Sequence, residues 1–132
     1  MFILAALPVN NLLIEKIKFV IEAICIEYKS TYEIAHNNGY GNGYSNILKN
    51  QIANADIVIV DFSGCDHFVL KVAGYSAGLG KQVIHFCEIG EPVKLDLKSS
   101  LPQLDLPFKI YNGDINIFKQ ELENVFSSFK QV

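Results

Sequence analysis

The sequence has few charged residues, no basic stripe and no long apolar run, and each absence excludes a class of protein. Charged residues make up 19% of the 132 residues and apolar residues make up 50%, which is the composition of a folded domain and not of a disordered segment. The net charge is only -3, and the 11 basic residues, all of them lysine, are spread along the chain. Duplex-binding proteins concentrate such residues on one surface, so we expect no nucleic-acid polymer as a partner.

The chain also lacks paired cysteine motifs and membrane signals. Cys25, Cys65 and Cys87 are far apart and form no Cys-x-x-Cys pair, a pattern typical of a reducing compartment and not of a disulfide framework or a zinc site. No apolar stretch approaches the roughly 18 residues of a membrane span. The apolar run that begins at Met1 has no basic segment before it, so it predicts a first strand. We expect a cytoplasmic protein with no metal, no cofactor and no membrane partner, and we interpret Cys25 as a core residue.

Length and hydropathy together predict one oligomeric domain. A chain of 132 residues can bury one hydrophobic core and is too short for two. The mean hydropathy of +0.23 is high for a chain with so few charges, and large apolar patches are unusual on the surface of monomers. We therefore expect a single domain, 1–132, that forms a homo-oligomer.

Hydrophobic periodicity predicts strands that alternate with helices. The predicted strands are residues 2–6, 31–35, 57–60, 82–86 and 108–111, and the predicted helices follow a cap at Asn10 or Asn11, span 47–53 and 67–79, and follow a cap at Asp114. The run at 57–60 is unbroken and β-branched, as in a strand buried on both faces of a parallel sheet. Such alternation implies right-handed crossovers with helices on both faces. The predicted fold class is α/β, a three-layer sandwich with a mostly parallel central sheet of about five strands, Rossmann-like or flavodoxin-like.

Three predicted loops converge on the carboxyl edge of this sheet, where ligands bind in open α/β folds. They are residues 7–11, 36–44 and 61–67. Asp61 directly follows the buried strand, where its carboxylate either accepts hydrogen bonds from a sugar hydroxyl or a base amino group, or caps the next turn. The glycines of the second loop would let backbone amides approach a phosphate. Their composition alone favours a surface loop, because the spacing matches neither the P-loop nor the Rossmann fingerprint.

Other features of the sequence have more ordinary explanations. Asp66 and His67 form a polar cluster near Asp61, although a histidine that begins a helix is more often a surface or capping residue than a general acid. The glycines of the helix at 67–79 cost roughly 1 kcal/mol each relative to alanine, and close packing against the sheet or a partner helix is the simplest reason to keep them. The segment 88–106 contains Pro92 and Pro102 and is predicted to be an irregular excursion near the carboxyl edge.

Three segments together resemble the nucleoside 2-deoxyribosyltransferase-like family. They read GYSNI at 43–47, ADIVIVDFSG at 55–64 and AGYSAGLGKQVI at 73–84. Members of the family have Ala-Asp before an apolar strand that ends in Asp, then a short loop with a glycine. A helix with Glu-x-Gly-Tyr or Glu-x-Gly-Phe follows and closes on Leu-Gly-x-x-Val-Ile. The resemblance covers the middle of the chain, while the flanks agree in element order only.

The resemblance implies a nucleoside pocket without the chemistry of the family. In active members the glutamate attacks the anomeric carbon and forms a glycosyl-enzyme intermediate, but its position here is Val72, which has no lone pair to donate. The base-binding aspartate of the family maps onto Asp61, and we predict that Asp61 and Val72 face the same cavity. We therefore expect binding of a nucleoside or nucleotide with lost or altered glycosyl transfer. The predicted ligand-binding residues are Leu7, Pro8, Gly41, Asn42, Gly43, Asp61, Ser63, Gly64 and His67.

Two alternatives stay open at this point. An acid relocated to Asp61 or Asp66 would make the chain an active nucleoside deoxyribosyltransferase or a nucleotide N-glycosidase, and Glu88, after the next strand, is a further carboxylate near that edge. Lys71 is no obvious substitute for the missing acid, because neighbours in a helix point about 100° apart. In the second alternative the domain only oligomerises.

Overall fold

A computed structural model of the chain describes residues 1–8, 13–36, 45–63, 67–87 and 108–130. Within these residues, five strands form one sheet in the order β2-β1-β3-β4-β5, and every pairing is parallel. The strands are β1 (Phe2–Ala6), β2 (Thr31–Ile34), β3 (Ile57–Asp61), β4 (Gln82–Cys87) and β5 (Phe108–Ile110), and the helices are α1 (Ile14–Glu27), α2 (Asn46–Asn54), α3 (His67–Gly78) and α4 (Ile115–Lys130). The predicted α/β class is confirmed, and the strand order is the flavodoxin-like one.

The two faces of the sheet are covered by different helices, because successive side chains of a strand point to opposite faces. On one face, Ile57 and Ile59 of β3 belong to a core cluster with residues of α1 and α4. On the other, Val58 and Val60 belong to a cluster with residues of α2 and α3. All five residues of β3 are buried, which confirms the prediction of a central strand covered on both sides. The three layers are therefore α1 and α4, the sheet, and α2 and α3.

The start of α1 differs from the sequence prediction, and the end of α3 shows why a glycine stands at position 80. The N-cap of α1 is Leu13, which makes no side-chain cap hydrogen bond, and the predicted caps Asn10 and Asn11 lie outside the described residues. At the end of α3, Gly80 has φ +74°. The amides of Gly80 and Lys81 donate to the carbonyls of Ala77 and Ser76, the double hydrogen bond of a Schellman motif.

The glycines inside α3 do not pack closely against the sheet. Gly74 and Gly78 are exposed, and a Cβ added at either position would meet no atom within 4 Å. Close packing of these two glycines against the sheet is therefore wrong as an explanation, and packing against a partner helix stays a prediction.

The described residues test part of what the sequence predicted about cysteines and membrane spans. Cys25 is buried, as predicted for a core residue, and burial raises the pKa of its thiol to about 11. Cys87 is buried as well, while Cys65 lies outside the described residues. In the part of the chain that the structure describes, no helix has the length and apolar character to cross a membrane.

Candidate functional site

The strand order predicts a ligand crevice between the carboxyl ends of β1 and β3. The chain leaves β1 towards α1 on one face of the sheet and leaves β3 towards α3 on the other face. Neighbouring strands whose connections diverge in this way form a topological switch point, the usual ligand site of open α/β sheets. Ala6 pairs with Val60, so β3 ends one residue beyond the end of β1. Leu7 and Pro8 follow β1 directly, and Ser63 comes soon after β3, which brings these predicted residues to this edge.

Asp61 is the last residue of β3, and its carboxylate is enclosed by protein donors. The residue is 0% exposed. Its Oδ1 accepts hydrogen bonds from the Ser63 amide at 2.9 Å and from the Ser63 hydroxyl at 2.5 Å. Its Oδ2 accepts a hydrogen bond from the Tyr111 hydroxyl at 2.7 Å. Of the two interpretations left open by the sequence, the turn-capping one is confirmed for Oδ1, and hydrogen bonding to a sugar or base stays a prediction.

Tyr111 comes from the far side of the sheet and reaches over β4 to Asp61. It directly follows β5, and the next two residues, Asn112 and Gly113, have φ of 50° and 70°. The amide of Asp114 donates to the Tyr111 carbonyl at 2.8 Å, which closes a tight turn. Asp114 Oδ1 then accepts the Asn116 amide at 2.9 Å, as predicted for the cap of the last helix. This turn holds Tyr111 at the carboxyl edge of the sheet.

Packing fixes the ring of Tyr111 as well as its backbone. The ring meets Phe118 of α4 edge-on, with centroids 5.4 Å apart and planes at 80°. Phe118 in turn contacts Phe86 of β4, with centroids 4.4 Å apart. Two residues before Tyr111, Lys109 Nζ lies 3.1 Å from Glu121 Oε2 of α4. The hydroxyl of Tyr111 is thus held in place by β5 and α4, and it lies 3.3 Å from Ser63 Oγ. We call Asp61, Ser63 and Tyr111 the edge network.

The electrostatics of the edge network are dominated by burial. Burial raises the pKa of the Asp61 carboxyl, and the hydrogen bonds from Ser63 and Tyr111 lower it by less. An ionised carboxylate in an apolar site is costly unless donors compensate it, and here three hydrogen bonds do so. Asp61 and Tyr111 have no accessible surface, whereas Ser63 is 7% exposed. Any contact between the network and a ligand in this arrangement goes through Ser63.

Val72 does not share a cavity with Asp61, so this prediction is wrong. Val72 is fully buried on α3 and belongs to the core cluster of Val58 and Val60. The partner of Asp61, Tyr111, belongs to the cluster on the opposite face. The alternation of side chains along β3 explains the difference, because residue 61 points to the same face as residues 57 and 59. Val72, which the resemblance aligns with the glutamate of that family, is therefore an enclosed core residue.

The described residues on either side of segment 37–44 are joined to each other. His36 Nδ1 lies 3.1 Å from Ser45 Oγ, and Ser45 Oγ accepts the Leu48 amide at 3.0 Å as the N-cap of α2. The His36 amide donates to Gln51 Oε1 at 2.8 Å. This cluster anchors the chain beyond β2 to the start of α2. Neither the cluster nor its role was predicted from the sequence.

The remaining predicted site residues are exposed or lie outside the described residues. His67 is exposed at the start of α3. Outside the described residues are Gly41, Asn42, Gly43, Gly64, Asp66 and segment 88–106. Over the described ranges, no group of three or more His, Cys, Asp or Glu side chains is arranged to hold a metal ion.

Tyr111 is the functional candidate that sequence reasoning missed. It was predicted only as the end of the last strand. The available signal was the Asn-Gly pair that follows it, since these residues tolerate positive φ and mark a tight turn, together with the Asp114 cap. A tyrosine between a strand and such a turn lies at the carboxyl edge of a parallel sheet.

Compared with protein-family models and with curated protein sequences, the chain matches none.

Proposed function

We propose that the protein binds a nucleoside or nucleotide in the crevice between the carboxyl ends of β1 and β3, without covalent glycosyl transfer from residue 72. The observation that carries the proposal is the edge network at the switch point. An aspartate occupies the end of an otherwise apolar, fully buried strand, although burial disfavours its ionised form. The network holds the Ser63 amide and hydroxyl in a defined arrangement beside the crevice.

The choice of a nucleoside or nucleotide rests on the resemblance described above. Asp61 has the position of the base-binding aspartate, and the resembling segment at 55–64 includes both Asp61 and Ser63 of the edge network. A pocket for a base and a sugar needs a few fixed polar groups beside apolar walls. Leu7 and Pro8 supply buried apolar surface at the end of β1, and Ser63 supplies the polar group.

The absence of the family chemistry rests on two separate features. Val72 has no nucleophilic atom and no accessible surface. Asp61 is also fully buried, and both of its oxygens accept hydrogen bonds from protein donors. A nucleophile must reach the reacting carbon at about 3–3.5 Å, which Asp61 cannot do while the network is intact. Since neither residue can act as a nucleophile, we propose that the crevice binds its ligand without reacting with it.

Binding is tested by thermal unfolding and calorimetry with a panel of nucleosides, deoxynucleosides, nucleoside monophosphates, cyclic nucleotides and dinucleotides. A ligand that binds only the folded state at 100 times its Kd stabilises it by about 2.7 kcal/mol. Ser63→Ala removes the hydroxyl of the network residue that keeps some accessible surface and should weaken binding. Asp56→Asn is the matched control, because Asp56 lies at the opposite end of β3 and bonds the Phe2 amide at 2.7 Å. If no ligand of the panel stabilises the protein, the proposal fails.

The enzymatic alternative is tested in the same samples by looking for free base. We expect none from deoxynucleosides or nucleoside monophosphates. Release of base that disappears in an Asp61→Asn, Asp66→Asn double variant would instead establish a relocated acid, and the protein would then be an N-glycosidase or a deoxyribosyltransferase.

A further inference from the structure

The solvent side of α1 carries the two most exposed large apolar side chains in the described part of the chain. Phe19 and Ile26 are each 72% exposed. They are seven residues apart, so they lie within about 20° of each other around the helix axis, two turns apart. Ala23, also exposed, lies between them. We call Phe19, Ala23 and Ile26 the α1 stripe.

The fold of a single chain does not account for the α1 stripe. The opposite side of α1 supplies Ile17, Ile21 and Ile24 to the core, so the helix is already held against the sheet. Burial of exposed Phe and Ile side chains is favourable because it removes apolar surface from water. In a symmetric pair of helices, four such side chains would leave water together. A partner that presents exposed apolar side chains on a helix of its own would therefore cover the α1 stripe.

We propose that α1 packs antiparallel against α1 of a second copy of this chain, with Phe19 of each protomer against Ile26 of the other. The two-fold axis then passes beside Ala23, whose small side chain lets the two backbones approach. Such an interface is isologous, meaning that the same surface is used twice and the assembly closes as a dimer. The inference uses none of the residues of the proposed ligand site and stands independently of it.

The charges beside the α1 stripe select the second copy as the partner and fix its direction. Lys16 and Glu27 lie on the same flank of the stripe, about 60° and 80° around the axis from Phe19, at opposite ends of α1. Both are exposed, and neither makes an ion pair with another described residue. In an antiparallel pair, Lys16 of each protomer faces Glu27 of the other, which gives two ion pairs. A parallel pair would leave Lys16 about 16 Å along the axis from Glu27 of the other protomer, too far for an ion pair.

On the other flank of the α1 stripe, a glutamate lowers the affinity that we expect for the dimer. Glu22 lies about 60° from Phe19 in the opposite sense, near the two-fold axis, so the two copies of Glu22 approach each other. The proposed contact is also confined to one helix of 14 residues, whereas a stable interface buries roughly 1,200–2,000 Å². We therefore expect a weak dimer, with a Kd on the order of 10 µM, which tightens when Glu22→Gln removes the repulsion.

Sedimentation velocity of the full chain from about 1 to about 100 µM, a range that spans the expected Kd, tests the interface. Wild type should pass from monomer to dimer, and Phe19→Glu should remain monomeric throughout. Ile47→Glu and Leu79→Glu are matched controls, because these residues are 55% and 50% exposed on α2 and just beyond α3, on the other side of the sheet. Both controls should dimerise like wild type. Since Phe19 is exposed, its variant should keep the wild-type circular dichroism spectrum.

Charge reversal separates the proposed pairing from general apolar stickiness. Lys16→Glu and Glu27→Lys should each raise the Kd at least about tenfold, and the double variant, which restores opposite charges, should recover the wild-type Kd. A wild type that is monomeric over the whole concentration range overturns the proposal. So does a dimer that survives Phe19→Glu, a dimer that is lost in Leu79→Glu, or a double variant no tighter than the single ones.

Discussion

Replacing Tyr111 with phenylalanine removes one hydroxyl from the edge network and leaves the rest of the side chain in place. The ring keeps its edge contact with Phe118, and the volume hardly changes. The lost interaction is the 2.7 Å hydrogen bond to Asp61 Oδ2 in a site with no accessible surface. Hydrogen bonds to charged groups contribute about 1.5–3 kcal/mol. We predict a loss of about 2 kcal/mol at pH 7 and a fall in Tm of about 8 °C for a domain of this size.

The assay is urea unfolding followed by circular dichroism, with Tyr32→Phe as the matched control. Tyr32 of β2 is half-buried, and its hydroxyl makes no hydrogen bond to a described residue. Its replacement should change the free energy of unfolding by less than about 0.5 kcal/mol, as is usual away from specific interactions. If Tyr111→Phe costs no more than Tyr32→Phe, the hydrogen bond to Asp61 does not stabilise the fold and the reasoning is refuted.

A double-mutant cycle assigns the effect to the pair. Asp61→Asn removes the charge and keeps acceptor capacity at residue 61, so the Tyr111 hydroxyl then bonds a neutral amide. Neutral hydrogen bonds contribute about 0.5–1.5 kcal/mol, so Tyr111→Phe should cost less in the Asp61→Asn variant than in wild type, with a coupling of about 1 kcal/mol. Strict additivity would contradict a direct interaction.

The pH dependence of the same variants has a definite sign. Burial raises the folded-state pKa of Asp61 above its unfolded value. The corresponding contribution to stability is fully present below the unfolded pKa and is lost as the pH rises through the folded pKa. Asp61→Asn should therefore remove this contribution to the pH dependence of the free energy of unfolding. It should also cost little stability at pH 7, where the ionised carboxyl is penalised by burial.

Four further predictions concern single residues. Ser76 Oγ is buried and has no hydrogen-bond partner among the described residues, so Ser76→Ala should raise the free energy of unfolding by about 1 kcal/mol in denaturant titrations, and a loss of stability would reveal a hidden partner. Gly74 is exposed in α3 with open space around a Cβ, so Gly74→Ala should stabilise by about 0.5–1 kcal/mol, whereas Gly80→Ala should destabilise because of its φ of +74°. Burial lowers the pKa of His85 to about 4; its contribution should be complete above the unfolded pKa of about 6.5 and fall as the pH drops from about 6.5 to 4, by at most about 3 kcal/mol. His85→Phe, which keeps a ring beside Phe62, should remove that slope in unfolding measurements between those pH values, and an unchanged slope would assign it to other groups.

Local patterns in the sequence were sufficient for the elements and their layers. The β-branched run at 57–60 was predicted as a central strand and is buried along its whole length. The Asp114 cap was predicted from residue type and makes its hydrogen bond. These features depend on residues close in sequence, because side-chain period and capping act within one or two turns. The alternation of strands and helices then left few topologies open.

The composition of the site was decided by the tertiary structure. Asp61 and Tyr111 are fifty residues apart in sequence, and their contact exists only because β4 lies between their strands and the turn after β5 directs Tyr111 back over it. The enclosed position of Val72 was equally out of reach, since a resemblance aligns positions and does not say which face of the sheet each one meets. The sequence by itself determined which segments form strands and helices. Only the tertiary structure decided which side chains meet, because such contacts depend on strand order and on the face to which each residue points.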